Sequence, residues 1–413
     1  MLKRTELRIS AIPLWLLMVF ALCLALQSLD VVVDQLAHLR KFDFTSFYAM
    51  GEMARYHPRD VYNRVLHMNF EHRIMGPGSE DYYNCFNYPP ILLPVLALVS
   101  LVPYAPAFFI WTVCQMSLFL ALLRKAVAPT KLFWLILVFP GVYYGIKLGQ
   151  NALLTGSIFL GIYLALKSNR PALLGVLLAL LIYKPQFALM SPLMVLLQKD
   201  WKTVAAYAGT ALALFVIPCL VVGSDVWLQY FESFVRYGAS SYGGTGESNF
   251  HLAPYLRHVR SDVIISWLGL VMTGGGSREL AYAVQLIALI GAAGVMAVRS
   301  SGQPPAGRMA LFVGCTFLAA PMGLLYDFAT VVIFMALAGD LEERGAIRTA
   351  YKYLLVAIYV TSATTFEVFD IQAGIFFVLA FVIMVATGGR ETGSKDSRKI
   401  KPSETEFAQG MPQ

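Results

Sequence analysis

The stretch Thr203-Val204-Ala205-Ala206-Tyr207-Ala208-Gly209-Thr210-Ala211-Leu212-Ala213-Leu214-Phe215-Val216-Ile217-Pro218-Cys219-Leu220-Val221-Val222 carries no charged side chain. At about 1.5 Å per residue, a helix of this length spans the roughly 30 Å hydrocarbon core of a bilayer. Lys199 and Lys202 precede it and Asp225 follows it, so charge stops where the apolar run begins. Similar runs cover Ala11–Val33, Tyr104–Leu123, Leu132–Ile146, Ala152–Leu166, Ala172–Tyr183, Gln186–Leu197, Leu280–Val298, Met309–Ala320, Phe328–Ala338, Ala350–Thr365 and Ile371–Ala386. Of 413 residues, 58% are hydrophobic and only 14% charged, and the mean hydropathy is +0.63. A soluble chain needs about a quarter of its residues charged to cover its surface. The sequence therefore predicts an all-α polytopic membrane protein with about twelve transmembrane helices, short or broken ones included.

Charge orients these helices. Lys3, Arg4 and Arg8 precede the first run, which has no small-x-small cleavage site after it and reads as an uncleaved anchor. Counting onward places Arg124, Lys125 and Lys131, then Lys167 and Arg170, Lys199 and Lys202, Arg299 and Arg308, and Arg344, Arg348 and Lys352 on one side. That side is the cytoplasmic one by the positive-inside rule, and the short turns on the other side keep only Lys147 and Lys184. The expected organisation is a cytoplasmic N-terminus over 1–10, a transmembrane domain over 11–387 and a polar, disordered cytoplasmic tail over 388–413. Two large external loops cover about 34–90 and 223–278. Ile91–Val102 is apolar, but counting it as a crossing would turn every later basic cluster outward. With Pro89, Pro90, Pro94 and Pro103 in and around it, the segment reads as re-entrant or tilted.

The net charge of +7 is thus mostly topological, and it argues against nucleic acid as a partner. Five cysteines, four of them in apolar runs, form neither a disulfide framework nor a zinc pattern. The glycines of Ser240-Ser241-Tyr242-Gly243-Gly244-Thr245-Gly246-Glu247-Ser248-Asn249 are followed by no Lys-Ser or Lys-Thr and preceded by no strand, which excludes a P-loop.

What remains on the outer side is a short set of polar residues, each where one apolar segment hands over to the next. Asp43 lies in Phe42-Asp43-Phe44-Thr45-Ser46-Phe47-Tyr48, Lys147 and Gln150 in Lys147-Leu148-Gly149-Gln150-Asn151, Lys184 in Tyr183-Lys184-Pro185-Gln186, and Asp327 after Tyr326. A polar cavity lined by broken helix ends would gather them. One carboxylate beside cations suits transfer of a group from a phosphate leaving group: Asp accepts the proton of an attacking hydroxyl while Lys stabilises the departing phosphate. No second external carboxylate stands out as a nucleophile, so inversion at the transferred carbon is the simpler course. Solvation, structural pairing and snorkelling to the interface are the alternative readings for Asp43, Asp327 and the two lysines.

The order Asp43-Phe44 with Phe47-Tyr48, then Tyr88-Pro89-Pro90, Gly149-Gln150-Asn151, Lys184-Pro185, and Pro321 with Tyr326-Asp327 resembles glycosyltransferase family 87 over about Phe42–Ala338. The resemblance implies a C-type glycosyltransferase (GT-C) fold and an enzyme that uses a polyprenyl-phosphate sugar, with mannose as the expected hexose. It implies Asp43 as general base, with Lys147, Gln150, Lys184, Tyr88 and Asp327 toward the donor. Where many members carry a His, this chain has Tyr326-Asp327, a departure from the pattern. Acceptor or loop contacts are expected at Tyr48, Asn249, His251 and Arg257, although Glu247-Ser248-Asn249-Phe250 matches the family stretch only loosely.

The expected function is inverting transfer of a hexose from polyprenyl phosphate to a lipid or glycan acceptor at the outer face of the cytoplasmic membrane. The donor's tail would lie among membrane lipids. No cofactor is expected, since neither a nucleotide-binding motif nor a compact external carboxylate cluster is visible. A transporter or flippase of lipid-linked substrates, and an O-antigen ligase or polymerase using a diphosphate-linked donor, are the alternatives that the sequence leaves open.

Overall fold

The computed structural model describes residues 43–79, 83–127, 131–233, 265–341, 345–364 and 374–387. The run Ala11–Val33, the middle of the second external loop and the tail lie outside them. Among the described residues the secondary structure is helical, with no β-strand.

Three helices are long and apolar enough to cross a membrane: Tyr104–Ala126, Trp201–Val221 and Arg278–Arg299. Their ends follow local chemistry. The Asp200 carboxylate accepts the Lys202 N–H, and the Ser277 hydroxyl accepts the Leu280 N–H. Each satisfies a donor that the first turn leaves free. Arg124, Lys125 and Arg299 close their helices where the dipole favours cations. Leu212, Leu220, Ile287 and Ile290 are 63–80% exposed along two of these helices. Faces this apolar are stable against lipid and aggregation-prone in water.

Inside this outer layer lie helices that are apolar on all sides, as a bundle interior requires. Ala152–Lys167 and Pro305–Ala319 are buried over most of their length and meet through Phe159 and Phe312, with ring centroids 5.7 Å apart. Phe187 stacks on Phe317 at 4.9 Å, and Tyr163 meets Phe334 of the Phe328–Leu341 helix at 6.1 Å.

The structure changes two expectations. Among the described residues three helices combine the length and apolarity of a single crossing, most other apolar runs form shorter helices, and the described part of Ala350–Thr365 falls in the 20-residue helix Gly345–Thr364. Leu132–Ile146 and Gln186–Leu197 are each two helices rather than one crossing: Lys131–Leu137 and Pro140–Lys147, then Pro185–Ala188 and Ser191–Gln198. Proline has no N–H to continue a preceding helix but suits the first turn of a new one, where Pro140, Pro185 and Pro192 sit. Segment 34–90, expected to be a polar loop, holds the helices Asp43–Tyr56 and Arg64–Met75. The first of these buries Phe44, Phe47, Met50 and Met53 and crosses Leu93–Val99, with Gly51 directly against the Leu96 carbonyl. Ile91–Val102, the apolar segment that resisted the topology, contains this seven-residue helix, which is too short to cross a bilayer.

Candidate active site

Asp43 heads its helix, and the next residue fixes that end: the Phe44 N–H donates to the Leu148 carbonyl at 3.0 Å. Leu148-Gly149-Gln150-Asn151 forms a strap between the Pro140–Lys147 and Ala152–Lys167 helices. Gly149 has φ +64°, and a β-carbon there would stand 2.6 Å from Phe44 Cβ and 2.8 Å from Phe108 Cε2. Its carbonyl accepts from Trp111 Nε1 at 2.9 Å. Both dihedral and space therefore demand glycine. Gly149→Ala is expected to lower stability by about 1–3 kcal/mol and to reduce turnover by displacing Gln150, read by thermal unfolding and by sugar transfer.

The strap delivers Gln150 to the carboxylate. Gln150 Nε2 donates to Asp43 Oδ2 at 2.5 Å, and Asn84 Nδ2 donates to Asp43 Oδ1 at 2.7 Å. Burial raises the Asp43 pKa above 3.8, and these two donors hold it down in part. Tyr88 sits across the strap, its hydroxyl 3.3 Å from both Gln150 Oε1 and Asn151 Oδ1. Burial, together with the charges of Asp327 and Asp43, pushes the Tyr88 hydroxyl up, so it stays a proton donor. Asn151 is fully buried, and its Nδ2 has no acceptor among the described residues.

Lys184 and Asp327 meet across 143 residues of sequence: Nζ donates to Oδ1 at 2.8 Å, and both side chains are at most 3% exposed. Each stands at a helix break, Lys184 before Pro185–Ala188 and Asp327 at the end of the 3-10 turn Leu325–Asp327. Tyr326 and Phe187 lie 5.6 and 5.5 Å from the ammonium. Lys147 ends its helix immediately before the strap, half-buried, with neither hydrogen bond nor ion pair among the described residues. The two lysines expected beside the donor therefore differ: one is paired and sealed, the other is available.

An apolar groove of about 650 Å³ runs along the Ala152–Lys167 helix. Ile91, Leu154 and Tyr183 line it near the strap, and Lys125 and Arg170 line its far end. The Tyr183 hydroxyl is shared with Thr155 Oγ1 at 2.5 Å and donates to the Asn151 carbonyl at 3.2 Å, which ties the groove to the strap.

Tyr48 is not brought to Asp43. It points to the other side of the helix, where its hydroxyl donates to the Val102 carbonyl at 2.9 Å and its ring packs on Tyr104. Asn249, His251 and Arg257 lie outside the described residues. Two residues that the sequence did not single out join the site. Asn84 touches Asp43 directly, and Glu71, with no exposed surface, accepts the Asn84 backbone N–H at 2.9 Å. The available signal was the i,i+4 spacing of His67 and Glu71, which puts both on the buried face with Phe70. Among the described residues no three His, Cys, Asp or Glu side chains gather as metal ligands.

The model of Glycosyltransferase family 87 matches residues 86–325, more than half of the chain. Tyr88, Lys147, Gln150 and Lys184 lie within the matched segment, and Asp43 and Asp327 flank it. No curated protein and no solved structure matches the chain.

Proposed function

The chain belongs to glycosyltransferase family 87, and from that premise we propose that it transfers a hexose, mannose by the family resemblance, from a polyprenyl monophosphate to a lipid or glycan acceptor, with inversion. The active site faces outward from the cytoplasmic membrane, and both termini are cytoplasmic. Membership in a glycosyltransferase family sets the transporter and flippase reading aside.

The observation that carries this proposal is the Asp43 carboxylate, fixed on both oxygens by amide donors that cannot take its proton. In the proposed step the acceptor hydroxyl attacks the anomeric carbon from the face opposite the phosphate. The new C–O bond forms as the bond to the phosphate oxygen breaks, the bonding electron pair leaves with the phosphate, and the acceptor's proton passes to Asp43. Lys147, beside the strap and unpaired among the described residues, supplies positive charge to the phosphate. The groove along Ala152–Lys167 suits an isoprenoid tail, being lined mostly by aliphatic side chains and reaching Leu154 and Tyr183 beside the strap. Inversion fits a site in which, among the described residues, Glu71 is sealed behind Asn84 and Asp327 is buried against Lys184, so that neither is free to attack a sugar.

Purified protein given labelled polyprenyl-monophosphate mannose is expected to release a glycosylated or hydrolysed product. Turnover confined to a diphosphate-linked donor would overturn the proposed donor class and favour the ligase or polymerase alternative. Lys147→Gln is expected to lower kcat/KM for the donor about tenfold, the loss of one charge-assisted contact that strengthens as the phosphate departs. An unchanged kcat/KM would remove Lys147 from the phosphate.

A further inference from the structure

Glu71 has no surface in contact with solvent, and helices do not bury a carboxyl group without a partner. It stands on the Arg64–Met75 helix, which packs against the helix headed by Asp43. Its Oε2 accepts the backbone N–H of Asn84 at 2.9 Å. The side-chain Nδ2 of that same Asn84 donates to Asp43 Oδ1 at 2.7 Å. One residue is thus held at its main chain by one carboxyl while its amide holds another. Asn84 lies in segment 83–89, which has no regular secondary structure. The Glu71 bond is therefore what fixes its position from the side remote from Asp43.

We propose that Glu71 is a positioning residue, acting through Asn84 to aim the Asp43 carboxylate at the acceptor hydroxyl. The inference rests on Asp43 as the base. Burial, with the Asp43 charge nearby, pushes the Glu71 carboxyl up to about 8, so at neutral pH it is an uncharged acceptor. Its neighbours agree with that state. His67 Nε2 is 3.2 Å from the Ser46 carbonyl and so carries the proton there, and burial pushes this imidazole down to about 4. The His67 Nε2 and Glu71 Oε1 atoms are 4.0 Å apart and make no hydrogen bond. Tyr83 and Cys85 are held protonated by burial, and the Arg64 charge acts on them and on His67.

A neutral acceptor can be replaced by another. Glu71→Gln keeps a carbonyl oxygen for the Asn84 N–H and is expected to retain kcat within about twofold at pH 7. Glu71→Leu removes the acceptor and is expected to lower kcat about tenfold with the donor KM unchanged, as is Asn84→Ala. The Glu71→Leu/Asn84→Ala double variant should lose no more than Asn84→Ala alone, because both act along one path. All are measured on full-length purified protein with labelled polyprenyl-monophosphate mannose.

A second readout needs only the isosteric variant. Above about pH 8 the native Glu71 ionises, and the added negative charge beside Asp43 opposes an anionic donor. The native kcat/KM should fall there, and Glu71→Gln should lack that fall. The inference is overturned if Glu71→Leu turns over at the native rate, if Glu71→Gln loses as much as Glu71→Leu, if the two losses multiply, or if the native and Glu71→Gln pH profiles superimpose. Turnover by Asp43→Asn would overturn the base itself. An inactive Asp43→Asn beside a fully active Glu71→Leu would overturn only the role given to Glu71.

Discussion

Asp43→Asn is expected to abolish transfer, lowering kcat by about a thousandfold or more while the protein still inserts, purifies and unfolds at the native temperature. The magnitude follows from general-base catalysis, which contributes about 10² to 10⁴ in rate. The structural neutrality follows from the partners. An asparagine of the same volume keeps one oxygen acceptor for Gln150, and the Asn84 amide can turn over so that its oxygen accepts from the new side-chain N–H, which leaves no donor facing a donor. Native activity should also fall with acid in a defined way. Burial raises the Asp43 pKa above 3.8, so the active, deprotonated form is lost as pH falls through a value higher than that of a free aspartate. Gln150→Ala removes a donor that stabilises the carboxylate and should move this acid limb to still higher pH. Retained turnover in purified Asp43→Asn protein would sink the assignment of the base.

Lys184→Met is expected to have the largest effect on stability, about 3–5 kcal/mol, because it leaves the Asp327 carboxylate buried without its cation. Asp327→Leu should be damaging for the mirror reason. Combining the two replaces a sealed ion pair by apolar groups of similar size, and the double variant should recover most of the loss. Thermal unfolding in detergent reads all three. A Lys184→Met protein as stable as the native one would show that the pair does not brace the helix breaks. The contact links two helix breaks that are separated by 143 residues in sequence, Lys184 before Pro185–Ala188 and Asp327 before Phe328–Leu341.

Much of the helical layout was legible because apolar runs and prolines act locally. Trp201–Val221 coincides with the charge-free stretch to within two residues, and the basic ends of Tyr104–Ala126 and Arg278–Arg299 stand where charge patterning put them. Local pattern fails to give the helix where two signals compete. In Leu132–Ile146 apolarity argued for one crossing, but Pro140 cannot continue the preceding helix, and two short helices resulted. Segment 43–56 went unread as a helix because Thr45, Ser46 and Glu52 dilute its hydropathy, although Thr45 is buried with its hydroxyl on Tyr104. Within the site, Asp43, Gln150 and Tyr88 were each conspicuous in sequence, but their mutual contacts were not. Asn84 and Glu71 were ordinary polar residues of an apparent loop until the fold put one against Asp43 and the other behind it.

By itself, the sequence determined that the chain is rich in membrane-length apolar runs, where the longest helices, such as Trp201–Val221, begin and end, and that few polar residues stand at the junctions. Those properties depend on composition and on contacts within one helical turn. Only the tertiary structure decided which lysine is sealed against a carboxylate and which has no partner among the described residues, which amides grip Asp43, and which carboxyl group lies hidden. These contacts join residues 13 to 143 positions apart, and what a charge or a hydrogen bond does there depends on burial that no local pattern encodes.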